Sequence, residues 1–240
     1  LSLSYDGRIV VEALQLAIVP DTVTAIVGAN GSGKSTILKA LARLLTPAEG
    51  AVYLDGKAIH NEPTRKVARR LAFLPQRADS PEGLTVKELV ANGRFPYRSA
   101  FGGLTRQDEE VIDWALEVVG LAGFAERAVT ELSGGERQCV WIAMALAQQT
   151  ELLLLDEPTT FLDVFHQLEV LDLVMRLHEE QHKTVVMVLH DLNLAARYAD
   201  RLVAIREGRV LAIGTPDDVM CPEVLRELFG VDVEVLTDPR

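Results

Sequence analysis

Cysteine is nearly absent: Cys139 and Cys221 are the two in 240 residues. Two thiols so far apart in sequence cannot build a disulfide framework or a Cys-x-x-Cys metal site, and such sparing use fits a reducing cytosol. No apolar run approaches the roughly 18 residues that a bilayer-spanning helix needs. Membrane association is therefore expected only through protein partners. Basic residues are outnumbered, 24 Lys and Arg against 35 Asp and Glu, for a net charge of −11. That balance argues against a nucleic-acid partner and against direct attraction to anionic lipid. Internal repeats and low-complexity linkers are also missing. The chain begins at Leu1 with neither methionine nor signal peptide, and the expectation is that a few residues have been trimmed.

What is present is a chain 48% hydrophobic, enough to bury a sizeable core as one unit with an inserted subdomain. Its strongest motif is Gly28, Ala29, Asn30, Gly31, Ser32, Gly33, Lys34, Ser35 and Thr36, which fits G-x-x-x-x-G-K-[ST]. The apolar, strand-like run 23–27 precedes it and a helix-like run 35–42 follows, which is the context such a loop requires. Glycines let the backbone turn with no Cβ in the way, so that successive N–H groups and the helix start face phosphate oxygens. Lys34 is expected to reach the β- and γ-phosphates, and Ser35 to offer its hydroxyl to Mg²⁺.

Residues 152–155 are four leucines followed by Asp156 and Glu157. A wholly apolar run ending in carboxylates suits a buried parallel strand that delivers charge at the carboxyl edge of a sheet, where ligands bind. Alternation along a strand gives the two acids different directions. Asp156 is assigned to Mg²⁺ or its water shell, and Glu157 to the attacking water as general base.

A second glycine-bearing segment, Leu132, Ser133, Gly134, Gly135 and Glu136, lies 23 residues before Asp156, counted from Ser133. It spells an S-x-x-E capping box ahead of a helical run, and a cap alone accounts for the serine and the glutamate. The glycine pair is unexplained by capping, while exposed N–H groups at such a helix start form an anion site. One nucleotide needs one cradle, so the second is best explained if it completes the site of another copy of the chain.

At these residues the sequence resembles the ATP-binding cassette family along essentially its whole length. Residues 28–36 look like the Walker A loop, 152–157 the Walker B strand, and 132–136 the family signature. The resemblance implies a P-loop NTPase (RecA-like) α/β core with an antiparallel β subdomain and an inserted α-helical subdomain. It places core and β subdomain at 1–82 and 150–240 and the helical subdomain at 83–149. It further implies that Ser133, Gly134 and Gly135 contact the γ-phosphate held by a partner copy. Two departures stand out: Glu136 replaces a commoner glutamine, and Cys139 stands where arginine is frequent.

The same resemblance gives weight to single residues. Gln76, after the strand-like run 71–75, is similar to the Q-loop glutamine that senses Mg²⁺ and water. His190, after the run 185–189, matches the switch histidine near the γ-phosphate. Asp163 resembles the aspartate of the dimer seam and is equally a helix N-cap for 164–179. Tyr5 is similar to the aromatic that stacks on adenine; core packing on a strand is the other reading of that residue. No Asn-Lys-x-Asp guanine-reading segment occurs, so ATP is the expected nucleotide.

Capping boxes are predicted at Thr85 with Glu88 and at Thr105 with Asp108, a helix stop at Gly120, a strand over 51–54, and a hairpin turn at residues 206–209. Residues 83–90, 93–97, 156–163 and 189–200 look like ATPases of bacterial iron-chelate importers, with haem or cobalamin importers as the alternative. A soluble ATP-binding cassette ATPase of DNA repair or translation is the alternative from a different class. The implied partners are a second copy, head to tail, and integral membrane permease subunits contacting residues 76–101. A substrate-binding protein is implied indirectly, and the place is the cytoplasmic face of the inner membrane. The chain ends near Val235, and no room is expected for the extra regulatory domain of some sugar-importer ATPases.

Overall fold

The computed structural model describes residues 1–76, 83–99, 102–160 and 162–236. The chain divides into two compact units, residues 1–61 with 184–240, and residues 62–183.

The first unit opens with an antiparallel ribbon, β1 (Leu3–Tyr5) against β2 (Arg8–Val11). Then come β3 (Val23–Val27), α1 (Lys34–Leu41) and a second short ribbon, β4 (Tyr53–Leu54) with β5 (Lys57–Ala58). The strand expected over 51–54 pairs only through its last two residues. Asp55 and Gly56, at φ of 48° and 72°, make a turn with both central residues left-handed, which suits a two-residue hairpin.

The second unit runs α2 (Thr64–Val67), β6 (Leu71–Leu74), α3 (Val86–Ala91), α4 (Arg106–Val118), α5 (Gly134–Ala147), β7 (Leu152–Asp156) and α6 (Val164–Gln181). The expected caps at Thr85 and Thr105 are complete boxes, and Gly120, at φ 75°, stands just past the end of α4. β6 and β7 pair in parallel, Leu71 opposite Leu152 through Leu74 opposite Leu155.

Arg94 is buried in this unit. Its guanidinium donates from Nε to Asp108 Oδ1 at 2.7 Å and from Nη1 to the Ala147 carbonyl and Gln149 Oε1, each at 2.8 Å, and lies 3.9 Å from the Tyr97 ring centroid. Burial alone raises the Asp108 pKa. The Thr105 backbone and hydroxyl donors, with Arg94, outweigh it and bring the group down to about 2.

The chain returns to the first unit with β8 (Thr184–Val188), α7 (Leu192–Tyr198), β9 (Arg201–Arg206), β10 (Arg209–Gly214), α8 (Pro216–Val219) and α9 (Pro222–Phe229). Here the strand order is β10-β9-β3-β8: β3 is parallel to β8 and β9, and β10 closes the edge antiparallel across the expected 206–209 turn. All five residues of β3 are buried, as are Ile37 and Leu38 of α1. Each buried Val, Ile or Leu among them contributes roughly 1.5–3 kcal/mol. A central parallel strand with no exposed face ends at Val27, and the loop that follows it is therefore anchored by the core. Among the described residues no helix is long and apolar enough to cross a membrane.

Candidate nucleotide site

In the first unit, Gly28 follows directly on β3 and Lys34 opens α1. Gly28 sits at φ 150°, and a Cβ there would lie 2.2 Å from the Ile205 carbonyl oxygen. Gly33, the N-cap of α1, is left-handed at φ 104° and makes no side-chain cap. A non-glycine residue is strained or excluded at both positions. Lys34 is buried, and its ammonium donates to the carbonyls of Gly28 at 3.0 Å and Ala29 at 2.9 Å, so it spans the mouth of the loop. Ser32 Oγ is buried without a hydrogen-bond partner. An uncapped helix start, a lysine across it and an orphaned hydroxyl together suit phosphate oxygens. Asn30 and Gly31 are exposed at the loop tip, Ser35 is half-buried and Thr36 is buried in the first turn of α1.

Tyr5 and His190 belong to the same unit. Tyr5 is 42% exposed at the end of β1, which removes core packing as its explanation. His190 is exposed two residues past β8, just ahead of Asp191, the side-chain cap of α7.

In the second unit, Asp156 is the buried last residue of β7, and Glu157 follows at φ 54°, in the left-handed region. The left-handed backbone at Glu157 ends the strand geometry there. Glu157 is also buried, yet it is embraced by donors: Gln76 Nε2 hydrogen-bonds to its Oε2, and Thr160 Oγ1 donates to the same oxygen at 2.9 Å. The structure thus joins Gln76 to Glu157, as two of the expected site residues. Thr160 had no assigned role; its position three residues after the acid was the available signal.

The signature helix α5 begins as a complete capping box: Ser133 Oγ accepts from the Glu136 N–H at 3.3 Å, and Glu136 Oε2 accepts from the Ser133 N–H at 2.7 Å. Hydrogen bonding to the Glu136 carboxylate, from the Ser133 hydroxyl first and then from the Ser133 N–H, holds its pKa below its ordinary value. Gly134 is exposed and Gly135 buried. Cys139, on the same helix, has its thiol pushed up to about 11, by burial first and then by Glu169 and Glu136, which disfavours the thiolate at neutral pH. Asp163 caps α6 by accepting from the His166 N–H at 3.0 Å, as its N-cap reading requires. The neighbouring Phe161 and residues 77–82 and 100–101 of the expected permease-contact stretch lie outside the described residues.

Among the described residues no group of three or more His, Cys, Asp or Glu is placed to hold a metal by itself. The donors on offer are hydroxyl, amide and single carboxylate oxygens, a set that fits a hard ion taking most of its ligands from water and phosphate.

A parallel-stranded unit with a glycine loop and buried lysine, and a second with paired acids and a capped glycine helix, define a P-loop ATPase of the cassette type. The chain belongs to the ABC transporter family, whose description matches residues 11–160, and it binds and hydrolyses ATP. Over all 240 residues it is 52% identical to the iron(3+)-hydroxamate import ATP-binding protein FhuC of Bacillus subtilis, covering 100% of this chain and 89% of that one. Among solved structures, an inward-facing ABC transporter described as metal-chelate type is similar at TM-score 0.82 and 30% identity, covering 96% of this chain and 88% of that one. The ATP-binding cassette MJ0796, solved as a post-hydrolysis dimer with ADP and Pi, is similar at TM-score 0.78 and 30% identity, covering 90% and 95%.

Proposed function

We propose that this chain is the ATPase subunit of a bacterial importer of ferric siderophores, working at the cytoplasmic face of the membrane through permease subunits. The observation that carries the reading is the 52% identity, without a gap in coverage of this chain, to an iron(3+)-hydroxamate import protein. Two copies bind head to tail on two nucleotides, a reading supported by the dimeric relative with ADP and Pi and by two phosphate-facing helix starts on one chain. Residues 83–149 act as the helical subdomain, and 76–101 carry the permease contacts. A substrate-binding protein delivers the chelate.

Each residue has a stated task. Tyr5 stacks on adenine. The N–H groups of residues 28–36, with Ser32 Oγ, hold the phosphates, and Lys34 turns from its carbonyl partners to the β- and γ-oxygens. Ser35, Asp156 and Gln76 hold Mg²⁺ or its waters. Bound Mg²⁺ neutralises charge on the phosphates. Glu157 takes the proton of the attacking water, oriented by Gln76 and Thr160, and His190 contacts the γ-phosphate. Ser133, Gly134 and Gly135 close over the partner's γ-phosphate, and Asp163 lies at the seam. Closure drives the permease, and hydrolysis resets it.

The test is uptake of radiolabelled ferric hydroxamate by iron-starved source cells carrying either the native chain or its Lys34→Ala form as sole copy. Uptake lost in the variant is the expected result. Equal uptake by both, or loss of labelled cobalamin uptake instead, overturns the siderophore assignment.

A further inference from the structure

His166 has no assigned task, yet it touches both segments proposed for the dimer seam. Its Nδ1 lies 2.8 Å from Asp163 Oδ1, the same oxygen that caps α6. Its ring lies on the other side against Gly135: a Cβ on that glycine would come within 2.5 Å of His166 Cδ2 and 2.9 Å of Cγ. Gly135 does not occupy a left-handed conformation, so its backbone gives no reason for glycine. The imidazole supplies one, because it fills the space that any side chain would need. Phe165 meets the imidazole edge-on, with centroids 5.4 Å apart and planes at 83°.

We propose that His166 is a positioning residue that locks the start of the signature helix to the seam aspartate. One ring fixes the relative placement of Gly135 on α5 and Asp163 on α6, so the two segments meet a partner copy as one preformed surface. All the contacts lie within the second unit. The acidic groups facing the ring are Asp163 on its own helix and Glu136 on α5. Preorganisation of this kind lowers the ordering cost of association without adding a contact to the nucleotide. The inference rests on the two-copy reading above.

The experiment uses the full chain in the Glu157→Gln background and reads two quantities: affinity of the single chain for MgATP, and the MgATP concentration at half-maximal dimerisation. His166→Ala is expected to leave the first unchanged and raise the second about tenfold, the scale of one lost charge-assisted hydrogen bond. His166→Asn, which can keep the Asp163 bond, and His166→Phe, which keeps the ring, are each expected to recover part of the shift. Alongside, thermal unfolding of the single chain reads Gly135→Ala with and without His166→Ala. Its destabilisation should fall by at least about half when the ring is gone.

Parallel loss of nucleotide affinity and dimerisation in His166→Ala overturns the positioning role in favour of a merely structural one. An unchanged dimerisation midpoint, or additive unfolding effects of the two substitutions, overturns it as well. If the Glu157→Gln parent does not dimerise at all, the two-copy reading fails and the seam role falls with it. The unfolding cycle still separates that failure from an absence of the Gly135 contact.

Discussion

The chain carries two glycine-rich helix starts, and they are built in opposite ways. At α1 the N-cap is Gly33 in a left-handed conformation, with no side chain closing the helix end and Ser32 Oγ buried without a partner. At α5 the N-cap is Ser133 in extended conformation, and its box with Glu136 is closed in both directions. The first start has no side-chain cap from its own chain, which leaves N–H groups of its first turn to water or a ligand. The second is complete as a cap in the single chain, and whatever its remaining N–H groups bind comes from outside. A capping box and an anion site are therefore compatible readings of one segment, because a box satisfies only part of the helix end.

The contrast is broken most severely at Gly28. Gly28→Ala puts a Cβ into the Ile205 carbonyl and should abolish both nucleotide binding and turnover; retained ATP affinity in equilibrium binding would show that the loop is not the cradle. Glu157→Gln should lower kcat by roughly 10²–10⁴ while nucleotide binding persists. A variant that hydrolyses ATP at the native rate removes Glu157 as base.

The helical region supplies a control with no phosphate role. Asp108→Asn leaves Arg94 buried without its counter-ion and should cost about 3–5 kcal/mol of stability in denaturant titration. Since Asp108 is lowered from 3.8 to about 2, its contribution is present above pH 3.8 and is lost as pH falls toward 2. The gap between native chain and variant should narrow over that window, and a gap constant down to pH 2 would contradict the ion pair.

The smallest effect sharpens the comparison furthest. Ser133→Ala and Thr85→Ala each remove the hydroxyl of a complete box and should each cost about 1 kcal/mol in the single chain. Only Ser133→Ala should also depress ATP turnover beyond its stability cost. Equal turnover in the two variants would reduce the signature to a cap.

Local features were legible from the order of residues alone. The boxes at Thr85, Thr105 and Ser133, the stop at Gly120 and the hairpin at residues 206–209 depend on neighbours three or four positions away, so spacing is sufficient to find them. The strand over 51–54 came out shorter because ribbon length depends on a partner, here only Lys57–Ala58. Tyr5 could not be placed from sequence, since stacking aromatics and core aromatics share the same strand pattern; its exposure removes core packing.

By itself the sequence determined the family, the nucleotide chemistry and the identity of the motif residues, because those motifs are short, contiguous and written in backbone-permissive or charged residues. The tertiary structure alone decided which distant groups meet. It set Ile205 against Gly28, Gln76 and Glu157 in one hydrogen bond, and Arg94 in a buried network reaching to Gln149. It also enclosed the Lys183 ammonium, which donates to the Thr150 carbonyl at 2.7 Å and has its pKa lowered by burial. It placed the His166 ring in the space that makes Gly135 a glycine. Such pairings follow from how strands and helices pack, a property of the whole chain that no local spacing records.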